Sequence, residues 1–114
     1  MAASRSPEEV FAHHGQVLTA GDVEGIVADY SDDAIVIAEG KVAHGKEGAR
    51  DVFTRLLEQV PQAVWGVRPV FAEDVLYLEW SARSGTRQLE GVDTFVFRDG
   101  QIRVQTLWHT LRTE

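Results

Sequence analysis

Cysteine is absent from the 114 residues. That excludes disulfides, thiol nucleophiles and thiolate metal sites together. Proline occurs three times, so Pro7, Pro61 and Pro69 read as punctuation and not as a linker. Positive charge is scarce. Eleven Lys and Arg stand against 18 Asp and Glu, a net charge of −7. Nucleic acid and anionic membranes both need a clustered basic surface, so neither is expected as a partner. No apolar run approaches the roughly 20 residues of a membrane span. The opening Met-Ala-Ala-Ser-Arg-Ser-Pro has no apolar run behind it, so no signal peptide is expected and a cytoplasmic location is the expectation. Repeats and low-complexity tracts are also missing.

What is present is ordinary for a globular protein: 44% hydrophobic and 25% charged residues. The length suits one domain, residues 1–114, with a single core. Ser6-Pro7-Glu8-Glu9 spells a helix start, with Ser6 as cap, Pro7 in the first turn and Glu9 closing a capping box. Val10, Phe11, His14, Val17 and Leu18 then share one helical face, with His13 beside it. Gly21 ends this helix. Asp22 caps a second, whose face is Val23, Ile26, Val27 and Tyr30, and Ser31-Asp32-Asp33 breaks it. Ala34–Ala38 reads as a short strand closed by Glu39-Gly40. A turn through Gly45 and Lys46 leads to a third helix, with Ala49, Val52, Phe53, Leu56, Leu57 and Val60 on its buried stripe and Pro61 as its stop.

Beyond Pro61 the pattern is β. Residues 63–71 are strand-like, and Gly66 and Pro69 mark an edge or a bulge. Residues 75–83 alternate, with Leu76, Leu78, Trp80 and Ala82 on one face. Asp99-Gly100 joins two alternating runs, a strong hairpin signal. The first run puts Asp93, Phe95 and Phe97 on one face. By the same parity Gln105, Leu107 and His109 share a face of the last strand. Helices first and strands after make an α+β pattern. A curved sheet with helices over its concave side leaves a hollow, the default ligand site.

Asp93 among phenylalanines is the chemical focus. A carboxyl group held in apolar surroundings has a raised pKa, which suits a general acid or a donor to a developing enolate. A hydrogen-bonded rim aspartate is the plain alternative. His14, inside an apolar stripe, is the candidate base, and Asp93 would fix its tautomer if the two met as a dyad. A core histidine bonded to a carbonyl is the alternative there. No metal is expected. His13 and His14 are adjacent and face different ways, His44 lies in a loop, and no His-x-x-x-His pair exists. Ser31, Ser81 and Ser84 lack the nucleophile-elbow setting, and no phosphate-cradling glycine loop occurs. No cofactor is expected.

Several segments together resemble a known superfamily. They are Ala20-Gly21-Asp22-Val23-Glu24-Gly25-Ile26, Tyr30-Ser31-Asp32-Asp33-Ala34, His44-Gly45-Lys46-Glu47-Gly48, Val92-Asp93-Thr94-Phe95 and Asp99-Gly100-Gln101-Ile102. The chain resembles the NTF2-like superfamily, in its SnoaL-like and ketosteroid-isomerase-like branch, over about residues 8–112. The resemblance implies a cone-shaped α+β barrel with three N-terminal helices over a curved antiparallel sheet, a deep apolar pocket and a homodimer through the outer sheet face. On that sheet face stand Val92, Val96, Val104 and Trp108. The isomerases' protonated aspartic acid falls on Asp93, their helix-one tyrosine on His14, their general-base aspartate on Ala38 and a pocket tryptophan on His109. The implied wall is Phe11, Leu18, Tyr30, Val36, Ala38, Phe53, Trp80, Phe95, Gln105, Leu107 and His109. The implied function is a cofactor-free acid–base enzyme, of isomerase, cyclase or dehydratase type, on a small apolar oxygenated molecule such as a polyketide or steroid-like compound. With no carboxylate at Ala38, a non-catalytic ligand-binding or dimerisation domain is the alternative.

Overall fold

A computed structural model describes residues 4–113, and its first helix starts as the sequence spells it. α1 spans Pro7–Thr19, and the Ser6 hydroxyl accepts from Glu9 N at 3.1 Å while the Glu9 carboxylate accepts from Ser6 N at 2.8 Å. Two otherwise unpaired amides of the first turn are thereby satisfied. α2 is Val23–Val27, capped by Asp22. It ends three residues before Tyr30, the residue expected to close it. Tyr30 instead opens a strand. The reason is tertiary: the Lys46 ammonium donates to the carbonyls of Val27 and Tyr30, satisfying groups that another helical turn would have used.

β1 runs Tyr30–Ala38, four residues longer than the expected Ala34–Ala38. Ser31-Asp32-Asp33, expected to break the second helix, lies inside the strand and marks a shift in pairing register between Tyr30 and Ile35. β2, Lys41–His44, was not expected at all. It forms a hairpin with β1 through Glu39 and Gly40, at φ 55 and 73°, the two positive values that a tight primed turn requires. α3 is Gly45–Gln59 and buries Ala49, Val52, Phe53 and Leu56. β3 (Val64–Ala72), β4 (Val75–Ser84), β5 (Arg87–Arg98) and β6 (Gln101–Thr113) follow.

The strand order is β2-β1-β6-β5-β4-β3. β3 is an edge, which is why Pro69 is tolerated there. Two features differ from the expected antiparallel barrel. β1 and β6 pair in parallel, Val36 opposite Gln105 and Ala38 opposite Leu107, so the sheet is mixed. It is also open, ending on β2 and β3, with the helices closing the cone. A bulge between Val96 and Phe97 places Phe97 opposite Ile102 and Val96 opposite Val104, leaving Arg103 over. Ile102 and Gln105 are therefore both buried, although three positions apart. The core fills the space between helices and curved sheet, with Val10, Ile26, Tyr30, Val36, Leu76, Leu89, Phe95 and Ile102 almost fully buried.

Candidate functional site

Asp93 lies on the inner face of β5, two residues after Gly91 and two before Phe95. Its carboxylate accepts two hydrogen bonds, from Trp80 Nε1 to Oδ1 and from Gln105 Nε2 to Oδ2, each at 2.9 Å. Gly91 makes the first possible. It stands opposite Trp80 in the β4–β5 ladder, and a Cβ there would lie 2.6 Å from Trp80 Nε1. The bare backbone lets the indole lie across β5 and reach the carboxylate. Gln105 stands opposite Phe95 on β6 and is fully buried. Its own carbonyl accepts from the Tyr30 hydroxyl. Tyr30, Gln105, Asp93 and Trp80 thus form one buried hydrogen-bonded chain across β1, β6, β5 and β4.

Burial pushes the Asp93 carboxyl up from 3.8 to about 7, against the two N–H donors that favour its ionised form. Desolvation outweighs hydrogen bonding here, and the group exchanges protons near neutrality. Burial likewise raises Tyr30 well above its ordinary value, with Asp93 adding to the effect.

His14 reaches the same hollow from α1. Its ring lies edge-on to Phe53, Phe95 and Tyr30, with centroids at 5.4, 5.7 and 6.1 Å. Its Nδ1 is buried and has no hydrogen-bond partner among the described residues. Burial drives the imidazole down from 6.5 to about 4, and Asp29 only partly opposes this. His14 is therefore neutral at pH 7. Among the described residues the expected hydrogen-bonded dyad is not formed: Asp93 accepts from Trp80 and Gln105 and not from His14. The carboxylate that orients a histidine belongs to the neighbouring pair. His13 Nδ1 lies 2.8 Å from both oxygens of the buried Asp29, which also accepts from Arg5 at 3.0 Å.

A cavity of about 40 Å³ joins Asp93 and His14. Of the expected wall, Phe11, Leu18, Phe53, Trp80, Phe95 and Leu107 border it. Tyr30 and Gln105 stand behind Asp93, and Val36 is packed in the core. Ala38 and His109 line a separate hollow of about 10 Å³ with Glu39, Arg55 and Gln59, sharing Leu56 and Leu107 with the main cavity. Burial lowers His109, and Glu39 opposes that. Leu56, expected on the buried stripe of the third helix, also borders the cavity, as do Trp65, Val67 and Gly15, which were not singled out from the sequence. Trp65 was findable: parity along β3 puts it on the same side as Phe71, and its ring meets Trp80 at 5.8 Å.

Among the described residues no three His, Asp or Glu side chains gather as a metal site, and no helix is long and apolar enough to cross a membrane. The outer sheet face leaves Trp108, Tyr77 and Val92 exposed.

No curated protein matches the chain by sequence. Among solved structures, a steroid delta-isomerase from Pseudomonas aeruginosa superposes with a TM-score of 0.78 at 20% identity, over 96% of this chain and 83% of the other. SalBIII, an epoxide hydrolase/cyclase-like enzyme in pyran ring formation of the polyether salinomycin, gives 0.74 at 17%, over 95% of both chains. A de novo designed protein with a curved β-sheet gives 0.79 at 17%, over 91% and 84%. A designed chain matches as well as the enzymes do, so these likenesses establish the fold and leave the chemistry to the site. Residues 11–105 match the SnoaL-like domain model. The chain is a member of the SnoaL-like domain family, with the NTF2-like fold.

Proposed function

We propose that this protein is a cofactor-free acid–base enzyme of isomerase, cyclase or dehydratase type, acting on a small apolar oxygenated molecule, with Asp93 as its proton carrier. One observation carries the reading. A buried carboxyl group at the wall of an apolar cavity, held by two donors, is poised at about pH 7. That is where a group both takes and returns a proton most effectively. Asp93 would remove a proton from carbon next to a carbonyl, or from a hydroxyl, and return it elsewhere. His14 is neutral and too weakly basic for that task. Its free ring nitrogen would instead hydrogen-bond the substrate oxygen. The isomerase and cyclase neighbours agree with this class of chemistry.

The cavity has room for about three water molecules. A larger substrate would enter by displacing Trp65 on the edge strand β3. The outer sheet face, where Trp108 is 65% exposed, would pair with a second copy to form a homodimer. The test is deuterium incorporation from D₂O into a panel of enolisable cyclic ketones, followed by NMR. Asp93→Asn should lower the exchange rate by about 10²–10⁴-fold and keep the fold. An unchanged rate would remove Asp93 from the mechanism.

The narrow cavity and the apolar Ala38 favour one second reading, a non-catalytic binding or dimerisation domain. It predicts no exchange above background with any ketone, in wild type and variant alike.

A further inference from the structure

Tyr30 gives its hydrogen bond to Gln105, and one amide joins it to Asp93. The Tyr30 hydroxyl donates to Gln105 Oε1, and Gln105 Nε2 donates to Asp93 Oδ2 at 2.9 Å. All three side chains are at least nine-tenths buried, Tyr30 and Gln105 completely. An amide has two orientations, with opposite consequences. With its NH₂ on the carboxylate it stabilises the anion. Turned over, it presents a carbonyl oxygen, which an ionised carboxylate repels and a protonated one satisfies by donating its O–H. Amide orientation and the proton on Asp93 are therefore one coupled variable. The hydroxyl of Tyr30 biases the choice: it donates to the carbonyl end, whereas facing the NH₂ it would have to accept, and its buried proton would lose the acceptor it has now.

We propose that Tyr30 is a positioning residue for Asp93: by donating to Gln105 it locks the amide with its NH₂ on the carboxylate, and so keeps Asp93 able to take up a proton inside an apolar cavity. Without this lock the protonated form would gain an acceptor and the ionised form would lose a committed donor. The high proton affinity that burial gives Tyr30 keeps its hydroxyl intact as that donor over the working pH range.

Other groups face this chain from each neighbouring element. α1 contributes neutral His14, edge-on to Tyr30 at 6.1 Å. Ahead of β1, Asp29 bears on the Tyr30 hydroxyl. α3 contributes the Phe53 ring at 5.9 Å and brings Lys46 to the main-chain carbonyl of Tyr30. β4 contributes Trp80, and His109 lies beyond that ring at 5.8 Å, with Glu39 beside it. Among the described residues only Trp80 and Gln105 donate to Asp93, and of the two only the amide can reverse.

The proposal rests on the reading of Asp93 as a proton carrier, but its test follows a resonance and not turnover, so the two fail separately. The ¹³Cγ signal of Asp93 is titrated in wild type, Tyr30→Phe, Gln105→Leu and the double variant. Gln105→Leu should raise the proton affinity of Asp93 about tenfold. Tyr30→Phe should raise it too, and the double variant should show no further rise over Gln105→Leu, since Tyr30 acts only through the amide. An unchanged midpoint in Tyr30→Phe overturns the proposal, and so does additivity in the double variant. A measurement that needs no variant gives a further check. The Gln105 side-chain NH₂ signals in wild type should move with the same midpoint as Asp93, and static signals overturn the coupling.

Discussion

Asp93→Asn separates two buried groups that act on stability in opposite senses. Burial raises the Asp93 carboxyl from 3.8 to about 7. The native chain therefore holds a proton between about pH 4 and 7 that the unfolded chain has released, and stability falls as pH rises through that window. Burial lowers the His14 imidazole from 6.5 to about 4. Between about pH 4 and 6.5 the unfolded chain holds a proton that the native chain lacks, so stability rises with pH there. At 1.36 kcal/mol per pH unit, the displacements are worth about 4 kcal/mol for Asp93 and about 3 kcal/mol for His14. The two contributions nearly cancel in the wild-type chain. In Asp93→Asn only the His14 limb survives. Urea unfolding at steps from pH 4 to 8 measures both profiles. The stability of the variant relative to wild type should improve by about 4 kcal/mol across that range. A difference that stays constant with pH would refute the reasoning, because it would mean that Asp93 keeps the same proton affinity folded and unfolded.

Gly91→Ala puts a methyl group 2.6 Å from Trp80 Nε1. The indole has to shift off Asp93, so stability should fall by about 1–3 kcal/mol and the tryptophan near-UV circular dichroism should change; an unaltered spectrum would show that the indole is held elsewhere. Trp108→Glu places a charge on the outer sheet face where Trp108 is 65% exposed, and light scattering should report a dimer in wild type and a monomer in the variant. A monomeric wild-type chain would refute the proposed pairing.

Local signals were the readable part of the sequence. The Ser6–Glu9 capping box and the Asp99-Gly100 turn each lie within a few residues, and both are formed. Parity along a strand was equally legible: Asp93, Phe95 and Phe97 are buried together, as are Gln105 and Leu107. Periodicity carries no direction, however, so the parallel pairing of β1 with β6 could not be read from it. Tyr30 fits the helical spacing of Ile26 and Val27, and only Lys46, 16 positions later, decides that the chain leaves the helix there. β2 is mostly exposed and has no alternating pattern to betray it. In the site, sequence placed Asp93 and His14 at one cavity. It did not show that Gln105 would claim the carboxylate, because that contact depends on register across the bulge at Arg103. Nor did it show that the buried Asp29 would orient His13 and not His14.

The parallel pairing of β1 with β6 bears on how the protein is made. β6 is the thirteen-residue segment that joins the β1–β2 hairpin to β5, β4 and β3, and it follows all of them in the chain. Without it, the sheet is two pieces that share no paired strand. A product terminated before Gln101 would therefore hold the strands of both pieces and lack the one that pairs them.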